Sequence, residues 1–145
     1  MRVLLDTCVI LDAMQNRGKF AKFAQALLVS AANETFEGCA SSKQICDVYY
    51  ILHKVYHSNK KCRDVLANLF DVVEVVDCSS SSVMNARISP VSDFEDAVLI
   101  ECAKEAGCSL IATSNLSDFK NSEIDAVSPK QSCQILGIDP GYVLL

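Results

Sequence analysis

The stretch MRVLLDTCVILD, residues 1–12, sets the apolar run Val3, Leu4 and Leu5 directly against a carboxylate, Asp6. A run that short and apolar reads as a buried strand. Strands usually hand over to their connections through Gly, Asn or Pro, so a charge at this edge points to a site. Outward from it, short β-rich runs alternate with helical stripes. Phe20, Phe23, Ala24, Leu27, Leu28 and Ala31 predict the first helix. A strand over Gly38 to Ser41 follows, then a helix burying Ile45, Val48, Tyr49, Leu52, Val55 and Tyr56. A shorter helix with Val65, Leu66, Leu69 and Phe70 leads to a third strand in VVEVVD, residues 72–77.

After the serine-rich CSSSSVMNARISP, a helix is predicted over about residues 93–106, with Ser92 and Glu95 as an S-x-x-E capping box and Gly107 as its left-handed cap. SLIAT (109–113) and IDAV (124–127) read as strands, and Ser128-Pro129 opens a last helix ended by Gly137. Such alternation implies right-handed βαβ crossovers, hence an α/β fold: a mostly parallel sheet of about five strands between helical layers. No linker or repeat divides residues 1–145, so a single domain is expected.

Half the residues are hydrophobic, enough for one sizeable core. No apolar run approaches the roughly 18 residues of a membrane span, and the N-terminus lacks secretory zoning, so a cytoplasmic protein without a membrane role is expected. The eight cysteines form no C-x-x-C pair and no zinc-spaced cluster; most are expected to be buried, reduced thiols. The net charge of −5 opposes non-specific polyanion binding over the whole surface.

Open parallel sheets bind ligands outside the carboxyl ends of their strands, where Asp6 is expected. Asp96 opens the helix before SLIAT, Asn115 and Asp118 follow that strand, and Asp47 lies off the apolar stripe of its helix. All five can reach one rim. Carboxylates gathered there without basic neighbours repel by about 3 to 4 kcal/mol per contact pair at an effective dielectric near 20. A divalent cation removes that cost, and oxygen-only ligands favour Mg²⁺ or Mn²⁺, the ions of phosphate-ester chemistry. On this reading Asp6→Asn stabilises the metal-free protein.

VLLDTCVILD, SSKQICDVYYIL, DFEDAVLIECAKEAG and IATSNLSDF resemble, in order and spacing, the four blocks of the PIN-domain family, which includes the VapC-type toxins. The resemblance implies a three-layer α/β/α fold and a metal-dependent endoribonuclease, with RNA as substrate, a cognate antitoxin and a homodimer. Asp6 matches the first family acid, Asp96 the third, and Asp47 falls where the family usually has Glu. Asp118 matches a further acid and Thr113 the hydroxyl residue before it. Asp6, Asp96 and Asp118 are thus expected to hold the metal, Asp47 to orient water, and Thr113 and Asn115 to bond the phosphate or support the ligands. Asn115 stands where many members carry Asp, and Cys8 replaces a common Asn.

Blander readings accompany several positions. Asp93 and Glu95 are explained by capping and the helix dipole, Asp12 is solvent-facing or a local cap, and HKVYHSNKKCR (53–63), with Arg17, Lys19 and Lys43, is either a solvated surface or an RNA-backbone contact. His53 and His57 lack a third ligand, and Cys8 lacks a partner His. Two other functions compete: a PIN fold that binds RNA or a partner without cutting, and a receiver-like phospho-acceptor using Asp6, Asp77 and Thr113. The latter lacks an acidic pair before Asp6 and a Lys after the fifth strand.

Overall fold

A computed structural model describes residues 1–142, so the last three residues of the expected domain lie outside the described part. Strands β1 (Arg2–Leu5), β2 (Glu37–Ser41), β3 (Glu74–Val76), β4 (Leu110–Ala112) and β5 (Asp125–Val127) form one parallel sheet in the order β3-β2-β1-β4-β5. Side chains alternate between its faces, as strand geometry demands. Val3, Leu5, Ala40, Leu110 and Ala112 enter one apolar cluster, and Leu4, Cys39, Val76 and Ile111 the other.

Helices α1 (Thr7–Gln15), α2 (Ala21–Ala32), α3 (Ser42–Tyr56) and α4 (Asn59–Phe70) pack on the first face, with α7 (Pro129–Leu136). Helices α5 (Ser80–Ala86) and α6 (Phe94–Glu105) cover the second. This three-layer α/β/α arrangement matches the expected fold class. It follows from handedness: right-handed crossovers running β1 to β2 to β3 put their helices on one face, and the return from β3 to β4 puts its helices on the other. The chain leaves room where these layers approach closely; at Gly38 of β2, a Cβ would stand 3.2 Å from that of Ala31 in α2.

Several boundaries differ from expectation. The first helix is α1, which the periodicity missed because none of its residues is fully exposed, so it carries no polar face to mark the 3.6 period. The serine-rich segment contains α5, capped by Ser79, whose Oγ accepts from the Ser82 N–H at 3.0 Å. Helix α6 is capped by Asp93 and not by Ser92: the Asp93 carboxylate accepts from the Asp96 N–H at 3.0 Å. Helix α4 begins earlier, at a Ser58 cap, and Val55 and Tyr56 of α3 are exposed and not core. Gly107 and Gly137 adopt the expected left-handed conformation, with φ of 74° and 70°. All eight cysteines are free, and five are buried.

The amino edge of the sheet is tied by Arg2, which donates to Glu37 at 2.8 Å and Glu74 at 2.9 Å. The carboxyl edge is tied by Gln44, which is buried. Ser41 and Gln44 form the capping box of α3, the Ser41 N–H donating to Gln44 Oε1 at 2.7 Å. The Gln44 amide then donates to the Leu5 carbonyl at 2.7 Å, joining the end of β1 to the start of α3. Gln44→Ala is expected to destabilise the protein by about 2 to 6 kcal/mol, because it unpairs two buried backbone groups at roughly 1 to 3 kcal/mol each. Denaturant titration checks this; a loss below about 1 kcal/mol would mean that neither group depends on the amide.

Candidate active site

The sheet order reverses at β1. The connection from β1 goes to one side and the one from β4 to the other, which opens a crevice at their carboxyl ends. Asp6 and Thr113 are the first residues beyond those strands. The Asp6 N–H donates to the Ala112 carbonyl at 2.9 Å, and the Thr113 N–H to the Val127 carbonyl at 2.9 Å, so both backbones are pinned at the crevice.

Asp6 is also the N-cap of α1, its Oδ1 accepting from the Thr7 N–H at 2.7 Å. Its Oδ2 accepts from Thr113 Oγ1 at 2.7 Å and from Cys8 Sγ at 3.4 Å. The Thr113 hydroxyl is wholly buried and itself accepts from the Asn115 N–H at 3.0 Å, which directs its single proton to Asp6. Thr113 therefore supports Asp6 and has no proton left for a phosphate. Asn115 takes part through its backbone, its side chain being exposed. Burial and the Asp6 charge push the Cys8 thiol up to about 11, so Cys8 is a neutral donor and no nucleophile.

Asp96 lies in the first turn of α6 and its carboxylate accepts no hydrogen bond from the described residues. Burial, then the charges of Asp93, Asp6, Asp118 and Glu95, push it up to about 6. Asp6 is likewise raised, first by burial and further by Asp118, while the bonds from Thr113, Cys8 and Thr7 oppose the shift. Asp118 sits exposed on the single 3₁₀ turn Leu116–Phe119 after β4. The structure thus brings Asp6, Asp96 and Asp118 into one another's field.

Asp6, Asp96 and Asp47 line an open cavity of about 460 Å³ between α3 and α6. The expectation of a site without basic neighbours is corrected here. Lys43 stands on the same wall, its ammonium 2.6 Å from Asp47 and 3.5 Å from Glu95. Glu95, assigned to the helix dipole alone, is one of the cavity's rim acids. Two residues of the site escaped the sequence reading: Gln44, marked by its S-x-x-Q spacing after Ser41, and Tyr50, whose cavity position depends on how α3 lies against the sheet; Lys54, from the basic run 53–63, also lines the cavity.

Other candidates are placed elsewhere. Asp77 follows the edge strand β3, two strands and roughly 10 Å across the sheet from Asp6, so the receiver-like set does not assemble. His57 is the left-handed C-cap of α3 and His53 stacks on Tyr49, so they form no metal pair. Asp12 pairs with Arg17 at 2.9 Å.

Among the described residues, no three His, Cys, Asp or Glu side chains stand close enough to encage an ion. The donor set nevertheless fits a hydrated one. Asp6 uses three of about four lone-pair sites on its carboxylate, and Asp96 uses none in hydrogen bonds. Mg²⁺ keeps several waters and takes one or two carboxylates, so a protein cage is not required.

A family model described as the PIN domain matches residues 2–117. The chain is 28% identical over 139 residues to Ribonuclease VapC1 of Aquifex aeolicus (strain VF5), covering 92% of this chain and 94% of that one. Its fold resembles VapBC2 of Rickettsia felis bound to a promoter DNA fragment, with TM-score 0.66 and 15% identity over 88% of this chain and 98% of that one. It also resembles VapC20 of Mycobacterium tuberculosis, a Sarcin-Ricin loop cleaving toxin, with TM-score 0.58 and 14% identity over 75% of this chain and 86% of that one. The model match spans most of the sheet and both site strands, and on that ground the chain belongs to the PIN-domain family.

Proposed function

We propose that the protein is a metal-dependent endoribonuclease that hydrolyses RNA phosphodiester bonds, acting as the toxin of a toxin–antitoxin pair. The observation that carries this is the convergence of Asp6, Asp96 and Asp118 at the reversal point of the sheet, with Asp6 raised by burial and then by Asp118, and Asp96 by burial and then by the carboxylates around it, Asp6 and Asp118 among them. The ribonuclease relative supports the activity, and the VapBC complexes among the fold neighbours support an antitoxin partner. A homodimer belongs to the same proposal. No described helix is long and apolar enough to cross a membrane.

When bound, Mg²⁺ or Mn²⁺ supplies an acidified water and neutralises charge growing on the phosphate oxygens. Asp6, Asp96 and Asp118 would hold it, directly or through the waters it keeps. Thr113 and Cys8 aim the Asp6 carboxylate and favour its charged form against burial, since each donates a hydrogen bond to it. Asp47 orients water from the α3 wall, with Lys43 fixing its carboxylate. Gln44 holds the floor through Leu5.

Purified protein is expected to cut single-stranded or loop RNA with Mg²⁺ or Mn²⁺, leaving 5′-phosphate ends, and to stop in EDTA. Unchanged products in excess chelator would sink the metal reading. Absence of cleavage with either ion would identify a fold that binds RNA without cutting it.

Asp47→Ala is expected to lower turnover at least about tenfold, the usual scale for a group that assists proton transfer or water. Its melting temperature should stay near the parent's, because the Asp47 carboxylate is half-exposed and its ion pair with Lys43 is a surface one. Parent-like cleavage would return Asp47 to the solvated surface.

Asp6 takes three hydrogen bonds that offset part of its burial, so the stability gain expected of Asp6→Asn is tested more cleanly at Asp96, which has repulsion without hydrogen bonds. Its folded pKa of about 6 lies above the ordinary carboxylate value of 3.8. Between those values the folded state binds more protons than the unfolded state, so this group makes stability fall as pH rises from about 4 to 6. Asp96→Asn should remove that fall, raise the metal-free melting temperature at pH 7, shrink the stabilisation by Mg²⁺ and nearly abolish cleavage. Melting curves of parent and variant, with and without Mg²⁺ across this window, check it; a less stable variant with an unaltered Mg²⁺ shift would defeat the assignment.

A further inference from the structure

The α3 wall of the cavity carries side chains that the chemistry above leaves unused. Lys43, Asp47, Tyr50 and Lys54 recur at helical spacing on one stripe, and all four line the same cavity as Asp6 and Asp96. Tyr50 is 62% exposed, unusual for so large a ring. Lys54 holds its ammonium 4.4 Å from the centre of that ring and makes no ion pair with a carboxylate among the described residues. Lys43, the other cation on this stripe, is already bound to Asp47 and Glu95. An exposed aromatic ring beside an ammonium that no described carboxylate neutralises, on the wall of a cleft, matches the two recurrent parts of a single-stranded nucleic acid: a base that stacks and a phosphate that needs a counter-charge.

Resting on the ribonuclease reading, we propose that Tyr50 and Lys54 form a nucleotide subsite, in which the base beside the reacting phosphodiester stacks on Tyr50 and its phosphate meets Lys54. Lys54 occupies one side of the ring, and the exposed remainder receives the base. The site therefore selects RNA that is unpaired at this nucleotide, because a base inside a duplex already has both faces stacked. The acids of the cavity repel a polyanion, so the cation on the far side of Tyr50 is what makes this wall approachable by the backbone.

The test uses the intact protein and a labelled single-stranded oligoribonucleotide carrying one abasic nucleotide at each position in turn. Affinity is read by fluorescence anisotropy with Ca²⁺ in place of Mg²⁺, and cleavage separately with Mg²⁺. Tyr50→Ala is expected to weaken binding about tenfold to a hundredfold, the range of base–aromatic stacking, and Tyr50→Phe to restore it. One abasic position next to the cut should cost the parent the same factor and cost Tyr50→Ala nothing. Lys54→Gln should reduce the salt slope of binding by about one. If the parent cuts RNA while Tyr50→Ala binds and cuts as the parent does, the subsite is wrong and the ribonuclease reading stands. If Tyr50→Ala loses only a co-purifying protein partner, the subsite is wrong as well. A parent that binds with this Tyr50 dependence yet never cuts upholds the subsite and sinks the ribonuclease reading; a parent that neither binds nor cuts removes both.

Discussion

The hydrogen bond from Thr113 to Asp6 closes the seam on which the site depends. Strands β1 and β4 are neighbours in space but more than a hundred residues apart in sequence, and their carboxyl ends diverge to opposite faces of the sheet. The Asp6 N–H on the Ala112 carbonyl and the Thr113 hydroxyl on the Asp6 carboxylate hold those ends together where the crevice opens. Because the Asn115 N–H occupies the Thr113 oxygen, the hydroxyl proton has one destination. A buried, half-desolvated carboxylate would otherwise favour its neutral form. This bond and its companion from Cys8 oppose that tendency and favour the charged form.

The acids beside it are arranged against the interests of stability. Asp96 caps nothing with its side chain and gains no hydrogen bond, while burial and then four carboxylates raise its pKa. Such a position is costly to the fold, the usual trade between stability and activity at a site, and on the proposed function a cation would offset it. Lys43 softens the repulsion at the rim, where Asp47 is half-exposed and Glu95 exposed, and leaves the deeper pair of Asp6 and Asp96 unneutralised. The cavity is therefore graded from an acidic floor to an aromatic and basic wall on α3. That gradient suits a substrate whose reacting group needs a metal and whose flanking groups need a ring and an ammonium.

Much of this was legible in the chain. The strand runs, the left-handed glycines and the acids at strand ends follow local rules, and the structure realises them within a residue or two. The misses have a common cause. Helix α1 is covered on every side, so its sequence lacks the polar stripe that periodicity needs. The cap of α6 was assigned to Ser92 because S-x-x-E is a strong local pattern, yet the chain enters the helix one residue later and Asp93 takes the role. Asp6 is both a candidate site residue and the cap of α1, two roles that the sequence offers as alternatives.

The sequence by itself determined the α/β alternation and which acids can meet at the carboxyl edge, Asp6, Asp96 and Asp118 among them. Periodicity and strand-end placement are properties of neighbours in the chain, and they survive without knowledge of packing. Only the tertiary structure decided that Thr113 serves Asp6, that Gln44 bolts β1 to α3, that Lys43 stands among the acids, and that Tyr50 and Lys54 face the cavity. Those contacts join residues separated by strands and helices, and depend on sheet order and on the angle at which α3 leans over its edge. Local spacing places a side chain on a stripe; the packing of the layers decides what that stripe looks at.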